Sequence, residues 1–183
     1  MNDLYITEGM ERIERYGIVL RGVTEEDAAF IVKLRTDESL GRFLSHTSPD
    51  IEKQKEWIRG YEMREAEDRE FYFICEYQGK VYGTTRIYNI EDDCFEVGSW
   101  LFTPHTPSGV SVLADIIARE FAFDKFGFDK CRFEVRKQNL SVVKYHKGYQ
   151  PTIIGEDELN YYFTLTKTKF DIHKTKLIKI FQK

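Results

Sequence analysis

Residues 96–111 read Glu96-Val97-Gly98-Ser99-Trp100-Leu101-Phe102-Thr103-Pro104-His105-Thr106-Pro107-Ser108-Gly109-Val110-Ser111. An apolar strand over 95–102 runs into a loop with prolines at 104 and 107, and Pro has no N–H to offer a strand ladder. Ser108-Gly109 then opens an apolar helix from Val110 to about Phe126. Glycine at such a junction lets the backbone approach a ligand closely. The first helical N–H groups lack intrahelical partners, and the helix dipole adds positive character. Two readings stay open from these residues alone: a phosphate or diphosphate site, and a plain helix start. A dinucleotide-binding fingerprint and a P-loop are both absent.

Working outward, residues 71–77 and 81–88 read as strands around the turn Gln78-Gly79-Lys80. With 95–102 they form an antiparallel meander. Toward the N-terminus, 16–23 reads as a strand. Thr24-Glu25-Glu26-Asp27 resembles a capping box before a helix carrying Ala28, Phe30, Ile31 and Leu34. Asp50 is an N-cap candidate for a second helix with Trp57, Ile58 and Tyr61 on one face. Residues 1–15 are polar and predict a weak helix or a loose arm. Toward the C-terminus, a strand at 130–137, a helix at 140–147 and strands at 151–155 and 160–166 follow. A lysine-rich amphipathic helix from Lys167 is expected to dock on its own sheet or on a partner subunit. The order predicts an α+β fold, a mixed but largely antiparallel central sheet flanked by helices. One domain is expected over 1–183, with a core at about 17–166 and a helical extension at 167–183.

Composition excludes several classes. The 183 residues are 42% hydrophobic and 32% charged, a globular balance, with a net charge of −4 that argues against nucleic acid. The apolar runs are too short to span a membrane. The start Met1-Asn2-Asp3-Leu4 lacks the basic and apolar pattern of a secretion signal, so a cytoplasmic location is expected. Cys75, Cys94 and Cys131 fit no zinc spacing and read as small buried thiols. His46, His105 and His173 have no ligand spacing, and no metal is expected.

Two stretches carry a family resemblance. Glu96 to Phe102, followed by Thr106 to Ser111, resembles the coenzyme A motif of the GNAT acetyltransferases. That motif is a strand of type Glu-Ile-Gly-x-x-Leu, then Gln/Arg-x-x-Gly-x-Gly/Ala at a helix start. Asn139-Leu140-Ser141-Val142-Val143-Lys144-Tyr145-His146 resembles the second signature, Asn-x-x-Ala-Ile-x-Leu-Tyr. Thr106 and Ser111 depart from the first pattern, and His146 stands where the second has tyrosine.

The resemblance implies acetyl-CoA as co-substrate and direct transfer to a primary amine. It implies coenzyme contacts at Trp100, Leu101, Phe102, Gly109, Val110, Ser111, Asn139 and Tyr145, with Asn139 also a candidate helix cap. It makes Glu96 the candidate base, through water, and His146 the candidate proton donor to the leaving thiolate. A histidine near pKa ~6.5 holds or gives a proton around neutrality. Arg35, Phe43 and Arg86 are the candidate acceptor-binding residues, since arginine grips phosphate and an aromatic ring stacks on a base or sugar. A nucleotide-linked amino sugar is the expected acceptor. A protein N-terminus, as in the ribosomal-protein type, is the alternative, and a non-catalytic coenzyme A-binding domain is the third reading. A homodimer is the expected assembly if there is one.

Overall fold

The computed structural model describes residues 12–182. Eight strands form one sheet in the order β1-β2-β3-β4-β5-β6-β8-β7. They are β1 (Arg12–Arg15), β2 (Ile18–Gly22), β3 (Phe71–Tyr77), β4 (Lys80–Glu91), β5 (Cys94–Phe102), β6 (Lys130–Arg136), β7 (Thr152–Glu156) and β8 (Asn160–Thr166). The helices are α1 (Ala28–Thr36), α2 (Ile51–Ala66), α3 (Val110–Phe126), α4 (Leu140–Lys147) and α5 (Lys167–Phe181). The expected α+β fold with a largely antiparallel sheet is the one observed.

One strand differs from expectation. Residues 12–15, read as part of a polar arm, form β1 and pair with β2. Tyr16, expected to open a strand, lies instead in the turn Tyr16-Gly17, where φ is 56° and 72°. Positive φ at both positions is what a tight hairpin turn demands, and tyrosine there gives no turn signal. The arm expected over 1–11 lies outside the described residues.

The core follows strand alternation. On β3, Phe71, Phe73 and Cys75 face a large cluster with α3, while Tyr72 and Ile74 join α1 and α2 on the other side. Both faces are covered, so the strand reads as a continuous apolar run. The N-terminus of α2 is fixed as expected, with Asp50 accepting from the N–H of Glu52 at 2.9 Å. Asp27 reaches back to the Thr24 N–H at 2.8 Å, closing a 3-10 turn ahead of α1. All three cysteines are buried and free.

Among the described residues the sheet has a single parallel pair. Strand β5 crosses over through α3 to β6, and the two pair only at Cys94–Lys130, Phe95–Cys131 and Glu96–Arg132. Beyond Glu96 the strands have no register, although β5 continues to Phe102 and β6 to Arg136. They splay into a V. The other edge of β5 stays on β4, with two register shifts; at the one nearer the V, Thr84 pairs with Leu101 and Arg86 with Gly98, so β5 carries an extra residue. Ser99 takes φ 47° there. Its carbonyl is held by Thr84 Oγ1 at 2.8 Å. A bulge of this kind bends the strand and re-aims its side chains.

Candidate active site

The bulge changes which side chains face α3. Before it, Phe95 and Val97 are in the α3-side core; after it, Trp100 and Phe102 pack on that side. The Trp100 ring stacks on Tyr145 at 5.0 Å, lies 5.9 Å from His146, and donates Nε1–H to the Ser111 carbonyl at 2.9 Å. The expected contacts on β5, α3 and α4 thus meet around one indole. Phe102 packs on Gly83, where a Cβ would sit 2.4 Å from its ring.

Inside the V lies a cavity of about 100 Å³ walled by Val97, Trp100, Phe133, Val142, Asn139 and His146, with Asp115 and Arg119 also contributing. The walls mix apolar side chains with polar ones, among them Ser99, Glu134 and Arg136. Asn139 makes no side-chain cap bond to α4. Its Oδ1 accepts from the Ser141 hydroxyl at 3.3 Å. Tyr145 spends its hydroxyl on Asp115 at 2.8 Å and on Tyr149 at 3.0 Å.

At the head of the V, Gly109 has φ 87° and precedes α3 as expected. Among the described residues, the N–H groups of Gly109, Ser111 and Val112 have no hydrogen-bond partner, while that of Val110 goes to Pro107 O at 3.1 Å. This is a ready cradle for a diphosphate. Val110 is buried and Ser111 half-buried. A second neighbour could not be foreseen: Phe181, at the end of α5, lies 2.4 Å from where a Cβ on Gly109 would be. Helix α5 runs back along α3, through Phe170 on Phe123 and Lys174 on Glu120 at 2.9 Å, and ends on this turn.

His146 sits on the wall of the V. It is buried, and its Nδ1 has no partner. Burial, then the Arg119 cation, push its pKa from 6.5 down to about 3, against a smaller opposing effect of Asp115. The ring is neutral at physiological pH and does not titrate near 6.5 as its unperturbed value suggests. Glu96 accepts from the Tyr88 hydroxyl and from Asn89 Nδ2, both at 2.9 Å, and forms no part of either the V or the cleft beside it. Glu134, which sequence reading passed over, stands at the exposed rim of the V. Burial, then the charge of Glu96, raise its pKa from its ordinary value.

A second cleft of about 290 Å³ opens on the α1–α2 side and shares Ser99 with the V. Arg35, His46, Lys53, Arg86 and Trp57 line it, and no carboxylate does. Arg35 bonds only to Thr47 Oγ1 at 2.6 Å and to Ser45 at 3.1–3.4 Å, so its charge meets no acid among the described residues. Arg86 is differently placed. It pairs with Glu70 at 2.6 Å and lies over the Trp57 and Tyr88 rings. Phe43 does not line this cleft; it reaches the V and a neighbouring cleft with Arg42 and Arg136. No cluster able to hold a metal occurs among the described residues. No described helix is long and apolar enough to cross a membrane.

Comparison with known proteins agrees with this geometry. The family model described as acetyltransferase (GNAT) domain matches residues 18–148. No curated protein sequence matches the chain. Among solved structures, apo FdhC, described as a nucleotide-linked sugar GNAT, is 32% identical with a TM-score of 0.81, over 90% of this chain and 95% of that one. The ribosomal-protein-S5-alanine acetyltransferase from Vibrio fischeri is 16% identical with a TM-score of 0.72, over 85% of this chain and 96% of that one. Mycobacterium smegmatis RimJ, in complex with CoA-disulfide, is 14% identical with a TM-score of 0.73, over 89% and 88%. The last two likenesses speak to the fold. With the splayed strands, the open helix start and the family match together, the chain belongs to the GNAT family of acetyl-CoA-dependent N-acetyltransferases.

Proposed function

We propose that the protein transfers acetyl from acetyl-CoA to the primary amine of a nucleotide-linked amino sugar. The observation that carries this reading is the charge of the α1–α2 cleft. Its walls hold Arg35, Lys53 and Arg86 and no carboxylate, in a chain whose net charge is −4. Such a cleft attracts a diphosphate and repels the ammonium of a peptide N-terminus. The same cations favour the neutral form of an incoming amine, which is the form that attacks. The likeness to a nucleotide-linked sugar GNAT supports the choice.

The acyl-pantetheine arm of the co-substrate is assigned to the V and its diphosphate to the turn at Gly109, Val110 and Ser111. The two orphaned polar atoms in the V, Arg119 Nη2 and His146 Nδ1, and the unpartnered N–H groups of α3 fit that ligand. Leu101 and Phe102 extend the β5 wall. Backbone N–H groups on the open edge of β5 are the proposed donors to the developing oxyanion. Glu96 and Glu134 are the proposed route for the amine proton, through water. Neutral His146 is proposed as a hydrogen-bond donor to the departing sulfur. Arg35 is the proposed diphosphate ligand, and Arg86 is held by Glu70 as the cleft floor. Phe43 is proposed to contact the acceptor where the V opens. A cytoplasmic enzyme is proposed, and the edge strand β7, with Ile153 and Ile154 exposed, is the proposed face of a homodimer.

Thiol release from acetyl-CoA, measured against nucleotide-linked amino sugars and peptides, tests the reading. We expect the sugar nucleotides to be preferred and Arg35→Ala to raise their KM by about 10-fold or more, the value of a charged hydrogen-bond pair. Preference for a peptide N-terminus, or an Arg35→Ala enzyme with unchanged KM, would replace this acceptor with the ribosomal-protein type. Absence of amine-dependent release from every acceptor would favour a coenzyme-binding role alone.

A further inference from the structure

Helix α3 carries a buried charge beside the V. Arg119 is fully buried, and Asp115, one turn earlier, is 1% exposed. Its Nε donates to both oxygens of Asp115, at 3.1 and 3.0 Å, and Nη1 points at Cys131 Sγ at 3.0 Å. The guanidinium lies 4.8 Å from the centroid of Phe133. Nη2 has no hydrogen-bond partner. Arginine does not deprotonate in proteins, so this donor cannot be removed by titration. Sulfur is a weak acceptor, which leaves Asp115 as the one strong partner, and Asp115 also receives the Tyr145 hydroxyl.

Arg119 also helps wall the cavity of the V, together with His146, whose Nδ1 is likewise without a partner. Buried polar groups in folded proteins are nearly always satisfied, and an unsatisfied one in a native structure calls for an explanation. The cavity is narrow, about 100 Å³, with Val97, Phe133 and Val142 around it. It suits an unbranched chain carrying a neutral oxygen rather than a bulky anion.

We propose that Arg119 is a coenzyme-binding residue whose Nη2 donates to a carbonyl oxygen of the acyl-pantetheine arm. Asp115, with Tyr145 behind it, is the positioning residue that holds the guanidinium in the V. This rests on the assignment of the arm to the V. It predicts that Arg119 reads the arm and not the nucleotide end of the co-substrate.

The test is calorimetric binding of acetyl-CoA and of adenosine 3′,5′-bisphosphate, which lacks the arm, to the wild type and to Arg119→Lys. Lysine keeps the charge beside Asp115 and removes Nη2. Acetyl-CoA affinity should fall by about 10-fold or more, and bisphosphate affinity should stay within about twofold. Equal losses for the two ligands, or no loss for either, would overturn the proposal. If the variant does not fold by circular dichroism, a crystal structure of the wild type with acetyl-CoA decides. A ligand carbonyl oxygen within ~3.2 Å of Nη2 supports the proposal, and only a water or no atom there overturns it. A wild type that binds neither ligand removes the coenzyme assignment, which separates that failure from this one.

Discussion

Below about pH 6.5 an unfolded chain protonates its histidines, but the native state holds His146 neutral down to about 3. Between those values the unfolded state binds the extra proton, so stability rises with pH across that window and falls as pH drops. Wild type should lose about 2 kcal/mol between pH 7.5 and 5 through this residue. His146→Phe should show a shallower loss in urea melts at the two pH values; an identical slope would show that His146 ionises freely. Gly109 is the second residue with a consequence. Its positive φ and the Phe181 ring both oppose a side chain. Gly109→Ala should cost roughly 1–3 kcal/mol. Gly109→Ala with Phe181→Ala should be less destabilised than the sum of the two single changes, since the overlap exists only when both side chains are present. Gly109 was legible because a glycine after a proline loop has few other meanings. Arg119 and Phe181 were not, because an arginine inside an apolar helix and an aromatic in a lysine-rich tail take their meaning from partners distant in the chain. His146 was legible as a position but its pKa was not, because the shift comes from burial that no local pattern encodes.

At the scale of elements, strands and helices were readable where the period was clean. The α3 run is apolar nearly all round, and β3 is buried on both faces. The hairpin at Tyr16-Gly17 was missed for want of a turn signal, and the bulge at Ser99 because an extra residue in a strand leaves no mark in composition. The bulge has its own test. Thr84 is buried and donates to the Ser99 carbonyl. Thr84→Val keeps the shape and removes that donor, and should lower stability by about 1–2 kcal/mol in urea melts. It should also lower kcat more than it changes acetyl-CoA affinity, because the bulge aims the backbone at the reacting centre. A variant with wild-type kcat would separate the bulge from the chemistry. Helix α5 was expected to dock, and Phe170 is the residue that anchors it, 1% exposed against Phe123 and Tyr149. Phe170→Ala should cost about 3–5 kcal/mol, read as a fall in melting temperature; a loss under 1 kcal/mol would mean the helix sits on the core without contributing to it.

At the scale of the molecule, the strand order could not be read from sequence: periodicity shows which face is apolar and says nothing about neighbours. The result is two antiparallel blocks, β1 to β5 and β6 to β7, meeting at three register pairs, where β6 and β8 share a ladder along their full lengths. Considered as a mechanical object, the protein therefore has a built-in line of weakness, and it coincides with the V. Helix α5 touches α3 on one side and β8 on the other, so it works as a brace across that line. Force drawn between β4 and β8 in an optical trap should part the blocks along the seam before either block unravels. Acetyl-CoA, filling the V, should raise the rupture force, and Phe170→Ala, loosening the brace, should lower it. The catalytic groove and the place where the fold yields under tension are then one feature, and a bound co-substrate is a structural member of the enzyme that uses it.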